Sequence, residues 1–198
     1  MMARDAALQG FLDAAIAAFG RVSPGQEARR SVDRITILLD APQPARRDIG
    51  KRLPVCDHLE EALSNGANEP ALAVLLYRFR AIEPRLEWTV RSNNDGSASE
   101  NFAAGHANAL IVGPGGLEDR RDVWFGASLL APHVRYPDHD HPPEETYLVL
   151  SEGEFMHGDS GWFSPGIGGS FYNTPGIRHA MRSVDKPLFA FWALLPEH

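Results

Sequence analysis

Cysteine is almost missing from this chain of 198 residues: Cys56 stands alone. One sulfur forms no intrachain disulfide and lacks the second thiol of a CxxC zinc or redox motif. Basic residues are also short, 19 Lys and Arg against 26 Asp and Glu, for a net charge of -7. Such a chain offers little to a phosphate backbone, so nucleic acid is not an expected partner. There is no long apolar run. The opening MMARDAALQGFLDAAIAAFG looks superficially like a signal peptide, but Asp5, Gln9 and Asp13 interrupt any apolar stretch. No membrane segment follows from it, and a cytoplasmic location is expected. Internal repeats and low-complexity tracts are absent as well. The length suits one substantial core with an appendage rather than two full domains.

Two textures divide the chain near Glu83 to Trp88. Before that point apolar residues recur at helical spacing: Leu8, Phe11, Leu12, Ala15, Ile16 and Phe19; Val32, Ile35, Leu38 and Leu39; Leu72, Leu75, Leu76 and Phe79. Residues 1–85 are therefore expected to be a helical region of three to five helices. Ser23-Pro24-Gly25, APQPAR and Asn65-Gly66 punctuate it as loops, and Asp57 and Asn68 are candidate helix N-caps. After Trp88 turn signals multiply, at Asn93-Asn94-Asp95-Gly96, Gly113-Pro114-Gly115-Gly116, Pro142-Pro143, Gly158-Asp159-Ser160-Gly161, Pro165-Gly166 and Pro175-Gly176. Short strands between such turns predict an all-β antiparallel sandwich or barrel over residues 86–198.

The chemistry is concentrated in YPDHDHPPEETYLVL, from Tyr136 to Leu150. In extended backbone, residues two apart share a face, so His139 and His141 project together, and so do Glu145 and Tyr147. Imidazole with carboxylate suits a borderline divalent metal such as Fe, Zn, Mn, Ni or Co, with positions left open for water or substrate. His179, in TPGIRHAM, follows a turn and precedes the apolar PLFAFWALL, so a neighbouring strand can carry it to the same interior. His106 and His157 are single histidines on expected strands and read as structural. Glu144 alternates to the face opposite Glu145. The Gly113–Gly116 run precedes a β-like segment rather than a helix and reads as a tight turn.

At these residues the chain resembles the cupin superfamily, a small jelly-roll barrel or double-stranded β-helix whose two motifs supply two histidines and a glutamate, then a third histidine. His139, His141, Glu145 and His179 fall on those positions, which implies one divalent transition metal. There are departures. Gly153 comes a residue late, Pro175-Gly176 lacks an intervening residue, and Ser183 stands where many cupins carry asparagine. A narrower resemblance rests on YPDHDHPPEETYLVLSEGE, with HANALIVGPGGLE before it and GGSFYNTPGIRHAMRS after it. It is to the cupin-type dimethylsulfoniopropionate lyases, particularly the DddQ group, over roughly Leu86 to Leu195.

That resemblance implies a carbon–sulfur lyase acting on a small sulfonium carboxylate, releasing dimethyl sulfide and acrylate by β-elimination. Tyr147 is the candidate base, on the strand face of Glu145. Tyr136 competes; its spacing to His139 has the wrong parity for a straight strand unless Pro137 bends the approach. Trp192, Phe189 and Trp124 are candidates to hold the sulfonium by cation–π attraction, worth about 0.5–2 kcal/mol. Because such a site does not fix a reaction, a metal-dependent oxygenase or isomerase and a non-enzymatic small-molecule-binding cupin stay open. A monomer or homodimer is expected.

Overall fold

The computed structural model describes residues 3–46, 50–64, 66, 70–92 and 95–196. Asn65, Asn68, Asn93 and Asn94, read above as turn or cap residues, lie outside the described residues.

The helical spacings become α1 (Ala6–Val22), α2 (Gly25–Leu39), α3 (Leu59–Ser64) and α4 (Pro70–Ile82). Leu8, Phe11, Leu12, Ala15 and Phe19 form the buried stripe of α1. Asp5 caps that helix by accepting the Leu8 amide at 3.1 Å, satisfying an otherwise orphaned N-terminal donor. Asp57 does not act as a cap. It lies within a 3-10 turn, Pro54–His58, that runs directly into α3, so no non-helical residue precedes the helix there. Ser23 ends α1 with its hydroxyl on the Phe19 carbonyl, and Gly25, at φ 71°, opens α2. No basic residue lies in the last turn of α2. Its C-terminal carbonyls are instead taken by Arg120, 2.7 Å from Leu38 O, and Arg4, 2.7 Å from Leu39 O. Both guanidiniums pair with the buried Glu118, tying the helices to the turn after β2.

From Trp88 onward the chain is mostly antiparallel strand: β1 (Trp88–Thr89), β2 (His106–Val112), β3 (Trp124–Leu130), β4 (Glu144–Val149), β5 (Glu154–His157), β6 (Ser170–Asn173), β7 (His179–Arg182) and β8 (Leu188–Leu195). A short helix, α5 (Phe102–Gly105), precedes β2. Six strands form one sheet in the order β1-β2-β3-β8-β4-β6, and β5 pairs with β7 in a second. Gly113 to Gly116 form the tight turn expected, closed by the Gly116 amide on the Gly113 carbonyl at 3.0 Å.

Strand β8 shows why its sequence is apolar throughout. Phe189, Phe191, Ala193 and Leu195 belong to the core shared with the helices. Leu188 and Ala190 join the opposite core, between the sheets, and Trp192 packs against it. A strand buried on both faces carries no polar alternation. On the helix side Phe11 meets Phe79, Phe125 and Phe191 at 5.5–6.0 Å between ring centroids, and Phe79 meets Phe189 at 5.3 Å. Each such pair adds about 0.5–1.5 kcal/mol beyond area burial. This packing fixes the large sheet from behind, leaving its other face to line a cavity. No helix among the described residues is long and apolar enough to cross a membrane.

Candidate metal centre

The segment after β3 runs as an irregular strand beside β7. His139 and His179 oppose each other in an antiparallel bridge, exchanging backbone hydrogen bonds of 3.0 and 2.8 Å. Opposed residues share a face, and their rings lie 4.1 Å apart. Pro142-Pro143 then break the run before β4, and His141 turns back over the start of that strand. Its Nε2 comes within 3.4 Å of Glu145 Oε2, while His179 Nε2 lies 3.2 Å from the same oxygen. His141, Glu145 and His179 thus offer three ligand atoms all within 4.8 Å of one another. His139 is not one of the converging three; it packs against His179 at the edge of the group.

Each histidine is held in one tautomer. His139, His141 and His179 direct Nδ1 to the carbonyls of Pro137, Pro143 and Ile177, all at 2.9 Å. A carbonyl only accepts, so the proton sits on Nδ1 and the Nε2 lone pair is free, the arrangement a metal-binding imidazole needs. His179 Nε2 is buried with no hydrogen-bond partner. A buried lone pair beside a carboxylate is costly unless a cation lies between them. Two imidazoles and a carboxylate fit a borderline divalent ion. Burial drives the Glu145 carboxyl up, but when the Nε2 atoms of His141 and His179 carry protons rather than a metal, their hydrogen bonds outweigh it and hold the group at about 2. Burial, with the His179 imidazole packed against it, brings His139 down to about 3, which keeps it neutral.

Behind the carboxylate, Asn173 is fully buried and donates Nδ2 to Glu145 Oε2 at 3.2 Å. Its oxygen receives His157 Nδ1 at 2.9 Å. Register explains the relay: Asn173 pairs with Glu145 across β4 and β6, and His157 pairs with His179 across β5 and β7. His106 is structural as expected, stacked on Phe102 at 3.7 Å with Nε2 taking the Arg91 amide at 2.8 Å. Glu144 points to the other face and accepts the Tyr172 hydroxyl at 2.5 Å.

A cavity of about 360 Å³ opens on this group, lined by Tyr136, Tyr147, Trp124 and Trp192 among others. Tyr147 is buried and stacked on Phe171 at 4.8 Å. Burial raises its phenol well above the ordinary range, and the Glu145 charge adds to this. Burial also raises Tyr136, but Arg91 and a 2.9 Å hydrogen bond from Asn108 oppose it. Irregular backbone at Pro137 and Asp138 lets Tyr136 and His139 reach the same cavity despite their odd spacing. Trp192 donates Nε1 to Ser128 at 3.0 Å and lies across Gly126, where a Cβ would meet the indole at 2.3 Å. Phe189 requires correction. It sits on the helix-facing side of β8, against Phe79, and does not border the cavity, because strand alternation gives that face to Trp192 and Leu194.

The family model for dimethylsulfoniopropionate lyase matches residues 27–190. The chain belongs to the dimethylsulfoniopropionate lyase family. As a member it is a lyase that cleaves dimethylsulfoniopropionate. No curated protein sequence matches significantly. Among solved structures, a chain from the crystal structures of the DMSP lyases RdDddP and RnDddQII is 22% identical with TM-score 0.72, covering 96% of this chain and 93% of that one. DMSP lyase DddQ from Ruegeria pomeroyi DSS-3 is 24% identical with TM-score 0.69, covering 98% and 93%. These likenesses establish that this lyase shares their fold, antiparallel sheets preceded by a helical N-terminal region.

The departures from the usual cupin motifs are absorbed locally. Ser183 receives the Val134 amide at 2.9 Å and donates to the Ala131 carbonyl at 2.5 Å, bracing the loop that leads to the lyase's histidines. Gly153 remains where a Cβ would meet Leu188 at 2.1 Å. Sequence reasoning missed Arg91, Asn108, Ser128 and Asn173, the last being the partner of His157. The strand parity of HANALIV and WFGASLL was the available signal for Asn108 and Ser128, since each interrupts an apolar run on the face toward the cavity.

Proposed function

We propose that this lyase converts dimethylsulfoniopropionate to dimethyl sulfide and acrylate by β-elimination, with His139, His141, Glu145 and His179 holding one divalent transition metal of the Zn, Fe, Mn, Ni or Co type. The observation that carries the metal is the orphaned Nε2 of His179 beside Glu145 in the wall of the cavity. Bound there, such an ion supplies a Lewis acid to the substrate carboxylate and a positive charge that favours a neighbouring phenolate.

Tyr147 is the base in this reading. It projects from the same face of β4 as Glu145 and borders the cavity. Its oxygen, as phenolate, takes the proton on the carbon next to the carboxylate. The electrons of that C–H bond form the new double bond, and the C–S bond breaks with its pair leaving on sulfur as neutral dimethyl sulfide. Tyr136 is the second candidate, favoured by the hydrogen bond from Asn108 and the nearby Arg91 charge. The faces of Trp192 and Trp124, which border the cavity, can receive the sulfonium.

The test is headspace detection of dimethyl sulfide over purified, metal-loaded protein given dimethylsulfoniopropionate. Production that tracks protein concentration is expected; a headspace no richer than the protein-free control would overturn the assignment.

A further inference from the structure

One charged group in the cavity touches no part of the substrate in the scheme above. Arg91 follows β1 by two residues and is pinned by its own amide, which donates to His106 Nε2 at 2.8 Å. Its side chain enters the cavity wall, with the guanidinium 5.9 Å from the Tyr136 ring centroid. It is the single Lys or Arg among the described cavity-lining residues. Its charge bears on Tyr136, Tyr147 and His139 together.

Arg91 also lacks a counter-ion. Other buried arginines here are paired, Arg4 and Arg120 with Glu118. Arg91 makes no ion pair among the described residues: its guanidinium meets the uncharged Tyr136 hydroxyl, and its Nε is buried without a hydrogen-bond partner. A half-buried guanidinium with one donor unmet and no carboxylate beside it carries an uncompensated charge toward the cavity, which an anion would balance.

We propose that Arg91 is the carboxylate anchor of the cavity and selects short zwitterionic carboxylates whose cation lies a few bonds from the carboxyl. This rests on the reading above and names the side chain that orients the substrate. A guanidinium fork matches both carboxylate oxygens, and a carboxylate has lone pairs enough to share with a second partner. The same positive charge repels a sulfonium. It therefore turns the cationic end toward the indoles of Trp192 and Trp124, which border the same cavity. The volume of about 360 Å³ admits a small molecule of this kind and excludes long-chain acids.

The experiment compares metal-loaded wild-type, Arg91→Gln and Arg91→Lys proteins by calorimetric titration with propionate and with ethyldimethylsulfonium, which has no carboxylate. Metal content and melting temperature are measured alongside. Propionate affinity should fall by about 30-fold or more in Arg91→Gln and by less in Arg91→Lys. Affinity for ethyldimethylsulfonium should hold or improve in Arg91→Gln. With dimethylsulfoniopropionate as substrate, KM should rise more than kcat falls. Equal propionate affinity in wild type and Arg91→Gln would overturn the proposal, as would no saturable propionate binding to wild type, or equal weakening of both probes. Should Arg91→Gln fail to fold, Arg91→Lys decides: propionate affinity unchanged from wild type would contradict bidentate anchoring. Propionate binding needs no turnover, so the two readings fail separately. Dimethyl sulfide production with an unchanged KM in Arg91→Gln removes the anchor and leaves the reaction; Arg91-dependent propionate binding without dimethyl sulfide does the reverse.

Discussion

His139 and His179 face one another across an antiparallel bridge with their rings 4.1 Å apart, yet only His179 joins His141 and Glu145 in the converging group. The four proposed ligands are therefore unequal in position. Alanine at His141 or His179, or glutamine at Glu145, should abolish stoichiometric metal binding, while His139→Ala should weaken it by less. Elemental analysis of the purified variants checks this. Full occupancy after loss of both His141 and His179 would rule out the ligand set.

Replacing Tyr147 with Phe removes one hydroxyl from a ring that stays stacked on Phe171. The variant should keep its fold and metal and lose turnover by about 10²-fold or more. Near-normal turnover would move the base to Tyr136, and Tyr136→Phe, assayed the same way, would then carry the loss.

Behind Glu145, the Asn173 amide and His157 orient the carboxylate without facing the cavity. Asn173→Ala should lower metal affinity by about 10- to 100-fold, the usual effect of losing an outer-shell partner. Competition with a chelator of known affinity measures it. An unchanged affinity would show that Glu145 is positioned by the strand backbone alone.

Much of the fold was legible because each helix buries a single stripe: Leu8, Phe11, Leu12, Ala15 and Phe19 report α1 by spacing alone. The caps were less legible, since Asp57 has the right chemistry in the wrong place, inside a 3-10 turn, while Asp5 carries out the capping. Phe189 shows a different limit. Strand β8 is apolar on both faces, so its pattern holds no information about which aromatic meets the cavity. The HxHxxxE spacing marked the candidate centre, but not the turn at Pro142-Pro143 that brings His141, rather than His139, closest to Glu145. Arg91, Asn108 and Ser128 come from three separate segments. They meet only through the pairing of β1, β2 and β3, which a local reading does not supply.

The attachment of helices to barrel also has a testable point. Glu118 is buried between Arg4 and Arg120, whose other donors cap α2. Glu118→Ala leaves two guanidiniums without their shared carboxylate and should destabilise the protein by about 3–5 kcal/mol. Chemical denaturation followed by circular dichroism measures the loss. A change within error of zero would show that water replaces the carboxylate.

Elimination consumes no oxidant, so strict exclusion of dioxygen separates it from oxygenase chemistry. Metal-loaded protein given dimethylsulfoniopropionate under anaerobic conditions should release acrylate and dimethyl sulfide in equal amounts, at the rate seen in air. A chelator should stop the reaction, and restoring the ion should return it. A requirement for dioxygen, or acrylate and dimethyl sulfide in unequal amounts, would rule out β-elimination.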